Sequence, residues 1–270
     1  MLIAIPLGIA IGLSLGALGG GGSILTVPAL VYVLAQDART ATTSSLVIVG
    51  LTSSLALVPH ARAGRVRFTQ GLLFGLLGTA GSLAGSALSG SVRPSNLLTA
   101  FAALMLLVAA LIIRRAHSAR RDLGLAIDPT VEPMLTLRPF TCACPRVAKV
   151  VVTATAIGLL TGFFGVGGGF ALVPALVLAL GFPMPVAVGT SLLVIAVNSA
   201  TALAARLGSG GGHLDWALIG VFTVAAVAGS LVGGKVVGRA NPRHLTLTFA
   251  GLLVLVALYI GARSLGVVIG

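Results

Sequence analysis

The residues best placed to do chemistry in this chain are small and mostly uncharged. Gly19-Gly20-Gly21-Gly22-Ser23 recurs 146 positions later as Gly165-Val166-Gly167-Gly168-Gly169, each inside a long apolar run. A glycine in a helix interior costs about 1 kcal/mol relative to alanine, so such clusters break a helix. Pro28 and Pro174 follow each cluster and remove a further backbone donor. The half-helix beyond a break presents unpaired N–H groups carrying partial positive charge, which suits an anion. Nearby polar residues are Thr42-Thr43-Ser44-Ser45, with Thr190-Ser191 as counterparts of the last two, and Thr52-Ser53 with counterparts Asn198-Ser199. Their hydroxyls and amides can donate to an oxyanion. The candidate substrate-binding set is therefore Gly19, Gly20, Gly21, Gly22, Ser23, Ser44, Ser45, Gly165, Gly167, Gly168, Gly169, Thr190, Ser191 and Asn198.

The acidic residues are equally informative. Asp37, Asp122, Asp128, Glu132 and Asp215 all fall in expected loops or at their edges, which leaves no carboxylate at membrane depth. That removes the usual acidic proton relay, paired-carboxylate catalysis and a carboxylate-bearing metal site. No catalytic residue, metal or cofactor is expected, and the chain does not read as an enzyme. Cys142 and Cys144, one residue apart, have poor disulfide geometry and no partners for a metal; they read as a solvated loop pair. His60 and Arg206 close equivalent segments and read as loop cations, either ordinary or drawing anions into a vestibule.

The elements that must position these residues are membrane helices. Of 270 residues, 57% are hydrophobic and 8% charged, too little polar surface to coat a soluble globule. The net charge of +12 raises a nucleic-acid partner. The basic residues, however, sit in short loops between apolar runs, as in the positive-inside pattern, so none is expected. Apolar segments are predicted at about 2–35 (broken), 42–59, 69–90, 96–113, 147–181 (broken), 187–205, 214–234 and 244–262. The first is not read as a cleaved signal, because its pattern recurs internally from Val147.

The segments fall into two repeats. Between Gly12–Val31 and Gly158–Val177, 11 of 20 pairs are identical, and the register continues with Ser45-Leu46 on Ser191-Leu192. Beyond a shift of two it carries Gly81-Ser82-Leu83 onto Gly229-Ser230-Leu231. The expected organisation is repeat 1 at 1–115, a cytoplasmic connecting loop at 116–146 and repeat 2 at 147–270. Basic residues cluster after the second segment of the first half (His60, Arg62, Arg65, Arg67) but after the third of the second (Lys235, Arg239, Arg243, His244). That swap favours repeats of inverted topology. Gly78, Gly81, Ser82 and Ser86 read as packing residues between helices.

The paired glycine breaks, each followed by Val-Pro-Ala-Leu at 27–30 and 173–176, resemble the TauE/SafE family of membrane permeases. So do the openings Ala41-Thr42-Thr43-Ser44-Ser45-Leu46 and Ala187-Val188-Gly189-Thr190-Ser191-Leu192. The resemblance spans the chain. It implies a multi-pass protein of the bacterial cytoplasmic membrane that exports sulfite or organosulfonates such as sulfoacetate. The repeats differ within the motif, since Gly20 faces Val166, Ser23 faces Gly169 and Thr43 faces Gly189. The expected function is export of small sulfur-containing oxyanions by an all-α membrane protein, its partners being the anion and the lipid bilayer. Alternatives are uptake of thiosulfate or another anion, an intramembrane enzyme, or a non-transporting scaffold subunit. A homo-oligomer stays open.

Overall fold

A computed structural model of the chain describes residues 3–89, 94–118, 144–164, 169–207, 214–239 and 242–269. Among them there are only helices and connections. The first broken segment gives α1 (Ala4–Leu18) and α2 (Gly21–Pro28), which runs on as a π-helical turn over Ala29–Val33. Three helices follow: α3 (Ala38–Arg62), α4 (Phe68–Ser89) and α5 (Pro94–Ser118). The second half gives α6 (Cys144–Phe164), α7 (Gly169–Leu178), α8 (Met184–Leu207), α9 (Trp216–Arg239) and α10 (Pro242–Ile269). Most of the connecting segment, including Cys142, lies outside the described residues. Its last residues do not remain loop: α6 starts at Cys144, with Pro145 in the first turn, where its missing N–H has no intrahelical acceptor to lose.

Stretches Thr40–Arg62, Met184–Ala204, Trp216–Lys235 and Arg243–Ala262 are long and apolar enough to cross a membrane. Their outward faces carry exposed aliphatics such as Leu51, Leu55, Val224, Val232, Leu255 and Leu258, as lipid contact requires. By contrast α1, at 15 residues, is only about 22 Å long, shorter than the hydrocarbon core.

The broken segment is a hairpin and not one interrupted spanning helix. Gly22 packs back against Leu15 and the carbonyl of Ile11, and a β-carbon there would meet them at 2.6 Å. Ala4, Ala29, Leu30 and Ala41 share one buried cluster, so α2 returns toward the level at which α1 began. The reversal occurs at Gly19, whose φ of 66° and ψ of −112° only glycine adopts without strain.

Close glycine contacts set the helix pairing. α1 lies along α9, with Gly12 on the main chain of Ala226 and Gly16 on that of Ser230. α6 lies along α4 in the same way, with Gly158 on Gly78, Gly81 on Thr155 and Gly85 on Leu159. Gly78 and Gly81 are thus packing residues, as their spacing suggested. In both pairs the chains run parallel, since contact positions rise together along the two helices. α3 and α8 instead run antiparallel: Gly50 meets Ser199, while His60, ten residues further on, meets Gly189. α5 packs on α10.

Candidate functional site

The break leaves the first-turn N–H groups of α2 without intrahelical acceptors. Ser23, in that first turn, donates its hydroxyl to the Gly20 carbonyl at 2.8 Å. Directly against the Ser23 hydroxyl stands Gly169, the first residue of α7; a β-carbon at Gly169 would fall on that oxygen. The start of α2 and the first described residue of α7 therefore meet at one point, from opposite halves of the sequence. Ile195 of α8 closes over it, with Cδ1 3.2 Å from the place of the Gly169 β-carbon.

Gly19 sits at the same junction. It packs on the Ser191 hydroxyl of α8, and its β-carbon position is 3.1 Å from Val173 Cγ2 of α7. Ser191 is fully buried and donates to the Val188 carbonyl at 2.8 Å. The structure thus unites Gly19, Ser23, Gly169 and Ser191 from four elements. Gly20 and Gly21 connect the same turn, whereas Gly22 serves to close the hairpin on α1. Gly165, Gly167 and Gly168 lie outside the described residues.

Other residues of the predicted set lie apart from this junction. Thr190 accepts a hydrogen bond from the Arg67 N–H at 3.2 Å, which ties α8 to the α3–α4 connection. Asn198 faces α4: its Oδ1 accepts from the Thr79 hydroxyl at 3.2 Å, and Gly75 and Gly78 give it room. Its described contacts are those of a helix–helix seam. Ser44 and Ser45 lie in the first third of α3, which packs beside α2. Ser45 donates to the Thr42 carbonyl at 2.8 Å, while the buried Ser44 hydroxyl has no partner. Thr52 and Ser53, further along α3, are likewise buried and unpartnered. Each such hydroxyl costs about 1–3 kcal/mol unless water or a ligand pairs it.

No carboxylate offsets this donor-rich interior among the described residues. Asp37 accepts from the Thr40 N–H at 3.4 Å and Asp215 from the Leu218 N–H at 3.1 Å, so both cap helix N-termini at the edges of the fold. Nor do the described residues group three or more metal-ligating side chains. His60 was read from the sequence as a loop cation, but α3 continues through Arg62 and buries it at 1% exposure. Nothing in its immediate neighbours signals this; the signal lies in Gly16, Gly189 and Gly234 on three other helices, which leave space for the ring.

Fold and junction together define a polytopic helical membrane protein with paired half-helices at its centre. The sequence profile of the sulfite exporter TauE/SafE family matches residues 4–260, and the chain belongs to that family. It is 33% identical over 267 residues to a probable membrane transporter protein of Xylella fastidiosa, covering 98% of this chain and 96% of that one. It is 29% identical over 274 residues to the probable membrane transporter protein YunE of Bacillus subtilis, covering 97% and 96% of the two chains. YdhB of the same organism, also a probable membrane transporter protein, is 27% identical over 256 residues, 91% of this chain and 96% of its own. No solved structure matches. The protein is a multi-pass membrane transporter.

Proposed function

We propose that the protein exports small sulfur-containing oxyanions, such as sulfite, sulfoacetate and related organosulfonates, across the bacterial cytoplasmic membrane. The anion binds where α2 and α7 begin. The observation that carries this reading is the contact of Ser23 with Gly169, which brings the starts of α2 and α7 together where no carboxylate is buried among the described residues. A helix N-terminus contributes about 0.3–1 kcal/mol toward an anion at a surface and up to about 2 kcal/mol when partly buried, so two converging ends make a selective cradle. Broken backbone at membrane depth is tolerated where protein buries it or where it lines a cavity. Outward movement fits the family description, and each negative charge leaving an inside-negative cell releases about 2.3 kcal/mol per 100 mV.

The same reading makes the halves inverted repeats about a pseudo-two-fold axis in the membrane plane. Supporting it are the antiparallel lie of α3 on α8 and the recurrence of the α1–α9 contacts between α6 and α4. Ser23 and Gly169 are equivalent positions in the two halves, so their contact falls on that axis. Proteoliposomes loaded with labelled sulfoacetate, sulfite, thiosulfate or a neutral sugar test the function. Protein-dependent efflux of the sulfur anions, with the sugar retained, is expected. Equal release of the sugar, or no release of any anion, would refute it.

A further inference from the structure

His60 is the one buried titratable side chain among the described residues. Its Nε2 lies 3.3 Å from the carbonyl oxygen of Gly16. That carbonyl is one of the last four of α1, which have no intrahelical donor; its neighbour Leu15 is satisfied by the Gly19 N–H at 2.8 Å. A carbonyl only accepts, so Nε2 carries hydrogen, and His60 fastens the end of α1 one helical turn before the break. Nδ1 is left as a buried lone pair with no partner.

The surroundings decide what can pair with Nδ1. On α8, Gly189 packs against the His60 side chain, with a β-carbon position 3.3 Å from His60 Cβ, two residues before Ser191 of the junction. On α9, the β-carbon position of Gly234 is 3.5 Å from Nε2. The charged groups nearby in sequence are all basic: Arg62, Arg65 and Arg67 on its own side, where the Arg65 N–H donates to the His60 carbonyl at 3.0 Å, and the exposed Lys235 beside Gly234. α1 brings no charge at Gly16, and α8 brings only the Thr190 hydroxyl beside Gly189. Among the described residues a buried imidazolium here would have no counter-ion, which is costly.

We propose that His60 takes up a proton at Nδ1 as the transported anion binds, so that the anion supplies the counter-charge that no described side chain around it provides. This rests on the anion-transport reading. The proton comes from water and adds to the Nδ1 lone pair. The Nε2–H stays on Gly16, and no other bond changes. Anion occupancy and the hold on the tip of the α1–α2 hairpin are thereby linked through one ring.

The test uses the purified full chain with sulfoacetate, whose acid groups stay ionised between about pH 6 and 9 because carboxyl groups titrate near 4. Affinity is measured against pH, and proton uptake on binding is followed with an indicator dye in weak buffer. Between the pKa of the ring in the free protein and its higher pKa in the complex, the wild type is expected to take up about one proton per anion, and affinity falls about tenfold per pH unit. His60→Gln keeps an amide donor for Gly16 but cannot titrate; it is expected to bind with a flat pH profile and take up none. Nitrogen NMR of histidine-labelled wild type needs no variant: one histidine should pass from the neutral Nε2–H form to imidazolium when sulfoacetate is added. Anion binding without proton uptake, uptake that persists in His60→Gln, or a histidine spectrum indifferent to the anion would each overturn the proposal. Failure of the wild type to bind any sulfur anion would instead take down the transport reading, and this inference with it.

Discussion

Moving a single hydroxyl across the α2–α7 contact separates packing from anion binding. Ser23 and Gly169, 146 positions apart, touch each other, so one side chain fits there and two do not. Gly169→Ala places a β-carbon on the Ser23 hydroxyl. Gly169 does not have a positive φ, so the cost is contact alone, about 1–3 kcal/mol for overpacking. Ser23→Gly in the same chain reopens the space and should recover thermal stability. It should not recover affinity, because a hydrogen bond to a charged group contributes about 1.5–3 kcal/mol, or roughly ten- to hundredfold in binding. Gly169→Ser with Ser23→Gly returns one hydroxyl to the junction from the opposite helix and should recover both. Calorimetric titration with sulfoacetate gives affinity, and scanning fluorimetry gives stability. The reasoning fails if Ser23→Gly alone binds like wild type, or if the serine double variant binds no better than the alanine one.

Further outcomes follow from other contacts. Gly19→Ala forces a side chain into φ of 66°, at about 1–2 kcal/mol, and onto Ser191; adding Ser191→Gly should relieve only the second part, so thermal stability recovers incompletely. Thr79→Val removes the hydrogen bond to Asn198 and should lower stability by about 1 kcal/mol in denaturant titration while leaving sulfoacetate affinity unchanged. In a chain lacking Cys142 and Cys144, Arg65→Cys and Arg239→Cys should both resist an impermeant thiol reagent in intact cells, and Ser209→Cys should react. Labelling of Arg239→Cys without Ser209→Cys would instead indicate parallel repeats.

The helical architecture was legible because apolar runs of spanning length are a strong signal, and the break at Gly19 was legible because the consecutive glycines there contradict their apolar flanks. The meeting of Gly19 with Ser191 and of Ser23 with Gly169 joins residues more than 140 positions apart, and only the second pair shares the 146-residue offset of the aligned stretches. The hairpin was harder to see. Glycine clusters signal a break without its angle, and the reversal is held by Gly22 against Ile11 and Leu15, a contact with no periodic signature. Asn198 joins the candidate set because its amide can donate to an oxyanion; the α4 seam, built on Gly75 and Gly78, draws it to Thr79. His60 escaped for a related reason. A histidine next to a proline and followed by arginines reads as loop, and only the three glycines converging from other helices bury it.

Anomalous diffraction from crystals grown with selenate, a heavier congener of sulfate, would locate the anion directly. The account predicts one selenium peak within hydrogen-bonding reach of the Ser23 hydroxyl and the first-turn N–H groups of α2 and α7, lost in Ser23→Gly. A peak confined to the basic surface around Arg62, Arg65 and Arg67, with the junction empty at saturating selenate, would contradict it.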